Sequence, residues 1–393
     1  MSAAFVRFSI IIPVYNRDEP LRRALLSVAR QTFGNYEAIV VDDGSDPAFS
    51  ERIQTLVNTL DDSRFSLISY QPNRNGAYAR NCGIEVAQGE YLCLLDSDDE
   101  WLPEKLTCID QALQKNAHGQ VIHHSYQNVI NGVRSAPFPQ IARRIGESVA
   151  EYSFCTNRVG GIQSSCLIVK RELAQRVRFN DTLRGHQDWD FALRLGAETD
   201  HFLFIDQVLT LRHVADAASG MVSRSLDYAY SLTFLREYQK YFSWRAQAGY
   251  TAHILLPKKI ISDDNTFTRY EWLMILFHPL QFAKYKIKQF KLHLRCVKLL
   301  LWCRLHKKNN LALMGCNDYT KFFIKHYASG VSIKLLIDKN KKNFGVRAVF
   351  SVGEISEDLW DGIDCVVTMT DIHHKSMHAD IKSHVPHLSV IYF

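Results

Sequence analysis

The sequence predicts an α/β protein: an open, largely parallel sheet first, then a helical basic segment, then a second, smaller α/β unit. Three observations carry this. Through the first hundred residues, continuous β-rich apolar runs alternate with amphipathic ones, the pattern of a doubly wound sheet. Over residues 284–308, nine Lys and Arg occur without one Asp or Glu. Beyond Leu311 four new strand-like runs begin: LALMGC, VSIKLLID, CVVTM and LSVIYF. At 393 residues the chain exceeds one ordinary core, and the composition shifts divide it at 1–225, 226–308 and 309–393.

With 47% hydrophobic and 22% charged residues, the chain reads as globular rather than disordered. Its nine cysteines are odd in number, scattered, and form no CxxC pair. That pattern implies reduced thiols in a cytoplasmic protein, against a disulfide framework or a zinc site. No charged N-terminal region precedes a long apolar core, and no run of about 18 apolar residues occurs. Neither a signal peptide nor a spanning helix is therefore expected.

In chain order, FSIIIPV (8–14) is a central parallel strand, broken by Tyr15-Asn16-Arg17. Leu21, Leu25, Leu26 and Val28 mark a helix ending near Gln31. A strand over 36–41 closes in Asp42-Asp43-Gly44-Ser45-Asp46, a sequence that also suits a tight turn. A helix over 50–60, a strand over 65–70, a turn at 73–76 and a helix over 77–87 follow. Residues 91–95 form a short buried strand that runs straight into Asp96, Asp98 and Asp99. Clustered carboxylates beside a buried strand repel one another and desolvate badly, and a hard divalent cation, Mg²⁺ or Mn²⁺, would relieve both costs. A solvated acidic turn before a helix starting near Leu102-Pro103 is the plainer alternative. Three polar strand ends along one sheet edge, at 15–16, 42–43 and 96–99, describe a nucleotide site. No P-loop or GxGxxG is present there, which weighs against an ATPase or a dehydrogenase.

The blocks IIPVYNR, QTF–YE–VVDDGS, NRNGAYARNCGIEVAQGEY and LLDSDD, in that order, resemble the successive motifs of family 2 glycosyltransferases with the GT-A fold, over roughly residues 5–220. By this resemblance Pro13, Tyr15 and Asp43 hold the nucleotide base and ribose, and Arg80 lies near the base or diphosphate. Asp96 contacts the ribose or metal, and Asp98 coordinates the metal. The block around Gln187-Asp188-Trp189-Asp190-Phe191 is similar to the family's (Glu/Gln)-Asp-x-Asp-Phe, in which the first Asp is the catalytic base, here Asp188. Carboxylates in a first helical turn also suit N-terminal capping, a reading that fits Asp190 well. Arg212-His213 before Ser219-Gly220 resembles the family's Arg-His pattern and implies a metal or diphosphate role for His213.

Residues 121–149 carry no clear pattern beyond a loop at 135–139, and 166–169 reads as a strand. In the basic segment, Ile287, Phe290, Leu294, Val297, Leu301 and Leu305 recur at steps of three and four, one apolar helical stripe flanked by cations. Such a helix suits an anionic membrane surface, or packing on a neighbouring domain; no nucleic-acid motif accompanies it. The C-terminal strands look like a small Rossmann-like domain whose glycine loop, Gly315-Cys316-Asn317-Asp318, is degenerate, so docking or oligomerisation is as fitting there as cofactor binding. Together these readings imply a metal-dependent glycosyltransferase, which the family resemblance implies to be inverting. It would use a nucleotide-diphospho-sugar, with UDP favoured, and a glycan or lipid-linked acceptor at the inner face of a bacterial membrane. Two rivals stand: a non-catalytic nucleotide-binding scaffold, and a sugar-phosphate nucleotidyltransferase, which would need a Gly-rich basic loop where Pro-Val-Tyr-Asn stands.

Overall fold

The computed structural model describes all residues except 1–4, 156–159, 215–227, 260–269, 271, 273–274, 277–278, 316–317, 339–342, 345–346, 370–373 and 393. The chain forms two compact units: Met1–Leu226 with Thr233–Gly249, and Asp227–Leu232 with Tyr250–Phe393.

The first unit is built on a nine-stranded mixed sheet. Its strands are β1 (Phe8–Val14), β2 (Tyr36–Asp42), β3 (Phe65–Ser69), β4 (Tyr91–Leu94), β5 (Asp99–Trp101), β6 (Val121–Ile130), β7 (Val133–Arg134), β8 (Leu167–Lys170) and β9 (Phe202–His213). The order is β3-β2-β1-β4-β8-β6-β9-β5, with β7 on β6. The first four strands are parallel, with Phe8 opposite both Tyr36 and Tyr91. β8 then runs antiparallel between β4 and β6. The sheet is thus a parallel half continued by a mixed half, in an α/β unit as the resemblance to the GT-A fold implies.

Helices α1 (Glu19–Ala29), α2 (Pro47–Thr59) and α3 (Gly76–Val86) follow the first three strands. β1 is buried on both faces, which is why it reads as an unbroken apolar run. Ile10, Ile12 and Val14 pack with Leu21, Leu25 and Val28 of α1. Ile11 faces the other side, where a Cβ on Gly83 of α3 would lie 2.6 Å from its Cγ2. Strand β5 and the long strand β6 were not legible in the sequence. The helix expected near Leu102-Pro103 begins only at Lys105, because Asp99–Trp101 first pairs antiparallel with β9. Helices α4 (Lys105–Lys115), α5 (Val149–Cys155), α6 (Arg171–Val177) and α7 (Gln187–Glu198) also belong to this unit.

The second unit holds a four-stranded parallel sheet in the order Ser332–Ile337, Asn310–Met314, Cys365–Thr368, Ser389–Tyr392. All four expected runs are strands. The helix Pro279–Leu305 seats Leu292, Cys296, Leu299 and Cys303 in one core with Leu311, Leu313, Phe323 and Val367. Cys316 and Asn317 of the glycine turn, and Ser219-Gly220, lie outside the described residues.

The turn after β2 depends on one glycine. Gly44 sits at φ +68°, and a Cβ there would meet the Asn73 backbone nitrogen at 2.4 Å. Left-handed strain and backbone overlap act together at this position. Gly44→Ala is predicted to lower stability by about 2 kcal/mol or more, read as a fall in melting temperature.

Candidate active site

The carboxyl ends of β1, β2 and β4, the start of α7 and the end of β9 surround one cavity of about 830 Å³. That volume suits a small-molecule site. Pro13, Tyr15, Asp43, Arg80, Asp96, Asp98, Asp188 and His213 all line it. Residues drawn from six separated sequence blocks are thus gathered at one place.

Asp43 is buried and fully engaged. Its Oδ1 accepts from the Tyr70 hydroxyl (2.7 Å) and the Arg74 N–H (2.9 Å). Its Oδ2 accepts from Asn73 Nδ2 and the Asn75 N–H, both at 2.9 Å. Asp43 therefore fixes the loop 73–75. Asn75, at φ 111°, in turn caps α3 by accepting from the Ala77 and Tyr78 N–H groups. Tyr15 is about half exposed at the cavity mouth. Asn16 next to it exchanges hydrogen bonds with Asp46, donating from Nδ2 and accepting the Asp46 N–H.

The acidic turn after β4 is compensated residue by residue. Asp96 pairs with Arg80 at 2.5 Å, and Asp98 with Arg17 at 2.5 Å. Arg23 donates to the Asp98 carbonyl at 2.7 Å. Asp99 is buried, and its Oδ2 accepts from the Ser165 hydroxyl at 2.6 Å. Burial, then Asp96 and Asp98, push its carboxyl up to about 8. Ser165 Oγ also accepts the Asp96 N–H at 3.0 Å. The Ser165 carbonyl is held from behind by buried Lys105, whose Nζ donates at 2.6 Å and lies 3.7 Å from the Trp101 ring centre. Burial lowers that ammonium to about 7.

The two acids of α7 have opposite surroundings. Asp190 is fully buried and takes Arg194 Nε at 2.7 Å, an ion pair across one helical turn. It does not line the cavity. Asp188 faces the cavity and accepts the Trp189 N–H at 2.9 Å. Enclosure raises its carboxyl above the ordinary range, and Asp96 adds to this, against Arg80 and Arg212. Gln187 beside it accepts from Arg80 at 3.3 Å and donates to the Leu183 carbonyl at 2.8 Å. His213 Nε2 lies 3.0 Å from Glu100. Among the described residues no three His, Cys, Asp or Glu side chains are gathered as a ready metal cage.

Sequence reasoning singled out Arg80 but not the other cations of the cavity. Arg17 and Arg212 line the cavity, as does Arg184. Burial disfavours the Arg212 charge, but Tyr126, Asp99, Asp96 and Asp188 outweigh it. Arg212 was visible as the neighbour of His213, and Arg17 as the end of the first motif. Ser165 gave no signal of its own.

The raised Asp188 pKa fixes a sign. A carboxyl whose folded-state pKa exceeds its unfolded value keeps its proton longer when folded, so stability falls as pH rises through that interval. Above it, the charged Asp188 is a net cost to the native state. Asp188→Asn is therefore predicted to melt at or above wild type at neutral pH. Asp190→Asn, which strips a buried partner from Arg194, is predicted to lose about 2 kcal/mol or more. Paired thermal melts check both.

The family model for glycosyl transferase family 2 matches residues 9–178. The amylovoran biosynthesis glycosyltransferase AmsB of Erwinia amylovora is 31% identical over 284 residues, covering 68% of this chain and 91% of that one. The putative colanic acid biosynthesis glycosyl transferase WcaA of Escherichia coli K12 is 27% identical over 243 residues, covering 62% and 84%. The Escherichia coli UDP-Glc:alpha-D-GlcNAc-diphosphoundecaprenol beta-1,3-glucosyltransferase WfgD is 35% identical over 108 residues, 28% of this chain and 41% of that one. Spanning nearly the whole of a relative at that identity, with the cavity built at the matched blocks, this chain belongs to family 2 of the glycosyltransferases.

Proposed function

We propose that this glycosyltransferase transfers a sugar, with inversion, from a UDP-sugar to a hydroxyl of a lipid-linked glycan acceptor during bacterial surface polysaccharide synthesis. One observation carries the reading: Asp188, an acid raised by enclosure and by Asp96, opens onto the same cavity as the acidic turn and the ends of β1 and β2. The names of the relatives support the polysaccharide context, and that of WfgD supports a UDP-sugar and a lipid diphosphate acceptor. A lipid-linked acceptor implies work at the inner face of the cell membrane. Among the described residues no helix is long and apolar enough to cross one.

In this reading Pro13 and Tyr15 flank the base, while Asp43 shapes the base pocket by holding the loop 73–75. Arg80, already ion-paired to Asp96, reaches the diphosphate side of the cavity. The acidic turn offers the carboxylate oxygens that a hard divalent cation takes, though among the described residues they are not gathered as a cage. Three carboxylates crowd one turn, and Asp98 is compensated through Arg17 in a pair about a third exposed. Asp98 and His213 would hold Mn²⁺ or Mg²⁺, which supplies charge neutralisation for the departing diphosphate. Asp188 takes the proton of the acceptor hydroxyl as its oxygen attacks the anomeric carbon. The bond from that carbon to the diphosphate breaks, and its electron pair leaves with UDP. The raised pKa makes Asp188 a stronger base than a free carboxylate, while Asp190 is already spent on Arg194.

Asp188→Asn is expected to lower transfer by about 10²- to 10⁴-fold with donor binding retained, measured as UDP release with acceptor present. Near-normal transfer would remove Asp188 from the chemistry. Wild-type transfer is expected to fall on acidification as Asp188 takes up a proton, at a pH above the ordinary carboxylate range. Asp98→Ala is expected to abolish the part of UDP affinity that depends on Mn²⁺, read by calorimetry. Unchanged affinity would reject the metal assignment.

A further inference from the structure

The helix Pro279–Leu305 carries two apolar stripes on nearly opposite faces. The inner one, Tyr285, Leu292, Cys296, Leu299 and Cys303, is buried against the C-terminal sheet. The outer one, Ile287, Phe290, Leu294, Val297, Leu301 and Leu305, is exposed, with Phe290 at 67% and Leu305 at 80%. Soluble proteins rarely leave a continuous apolar strip of this length open to water; 27 residues of helix span about 40 Å. Sequence periodicity alone registers the outer stripe and leaves open whether it packs on another domain. In the fold, the other face does that packing.

We propose that this outer face docks on an anionic phospholipid bilayer, with the C-terminal domain serving as the pedestal that holds the helix in place. Helical spacing puts Lys284, Lys291, Arg295 and Lys298 along one edge of the stripe, and Lys286 and Arg304 along the other. All six positions are exposed. No Asp or Glu occurs between Glu271 and Asp318. Charge selects the occupant. A second copy of the helix would bring cations against cations, whereas an anionic lipid surface complements both edges while the stripe enters the acyl boundary. Seated on a folded domain, the helix is preorganised, so it does not have to order on contact. This surface shares no residue with the cavity and does not depend on the donor chemistry.

The test uses the full chain without nucleotide. Sedimentation is measured with phosphatidylcholine vesicles, with and without phosphatidylglycerol, at low and high salt. Strong recovery is expected only with anionic vesicles at low salt. Lys284→Glu/Lys291→Glu/Lys298→Glu should weaken binding roughly a hundredfold or more, from about 1 kcal/mol per cation. Phe290→Gln/Leu294→Gln/Leu301→Gln should weaken it comparably with the charges intact. Both variants alter exposed positions, and an unchanged melting temperature verifies their fold. Equal recovery from neutral and anionic vesicles, or recovery unaffected by either variant, overturns the proposal. So does a stable dimer in light scattering that the apolar variant converts to monomer without loss of vesicle binding, since the stripe is then a self-interface.

Discussion

Carboxylates gathered at the ends of buried strands must each be compensated, and that requirement organises this site. Asp43 takes four donors from one loop, Asp96 takes Arg80, Asp98 takes Arg17, and Asp99 takes Ser165. Each pairing also places a piece of backbone. The Asp43 bonds set the loop 73–75 and the cap of α3, while Ser165 ties the turn after β4 to the strand β8 that follows it. Removing a single acid therefore moves geometry as well as charge. The compensation is incomplete at two places, Asp99, pushed up to about 8, and Asp188, raised by enclosure. Incomplete compensation facing a cavity is what a site for a cation and a proton transfer requires.

The contrast within α7 shows how a motif divides between chemistry and fold. Asp188 and Asp190 share a first helical turn, where either suits the helix dipole. Two residues of spacing send them to different sides. One enters the cavity, and the other is buried beneath Arg194. Helix position alone makes both capping candidates; the family resemblance singled out Asp188, and burial separates the two in the fold.

Legibility followed locality. FSIIIPV was readable to the residue because a central parallel strand buried on both faces must be apolar throughout. The acids 96–99 stood out for the same reason, by ending such a run. Strand β6 was missed because VIHHSYQNVI carries buried His123 and His124, polar residues whose burial only the neighbouring strands create. Strand β5 is three residues long and exists through its pairing with β9, about a hundred positions away. The counter-charges were hidden likewise. Arg17 meets Asp98 across 81 residues. Which acids crowd together is local, but which cations answer them is set by topology.

The central claim is that the cavity between these strand ends is a UDP-sugar site. Thermal unfolding of the intact protein against a panel of nucleotide-sugars with Mn²⁺ tests it most directly. A ligand at about a hundred times its Kd stabilises the native state by about 2.7 kcal/mol, enough to stand clear of the rest of the panel. The account predicts that a UDP-sugar raises the melting temperature and that ADP- and GDP-sugars do not. A panel in which no UDP-sugar moves the transition, or in which every nucleotide moves it equally, would contradict it.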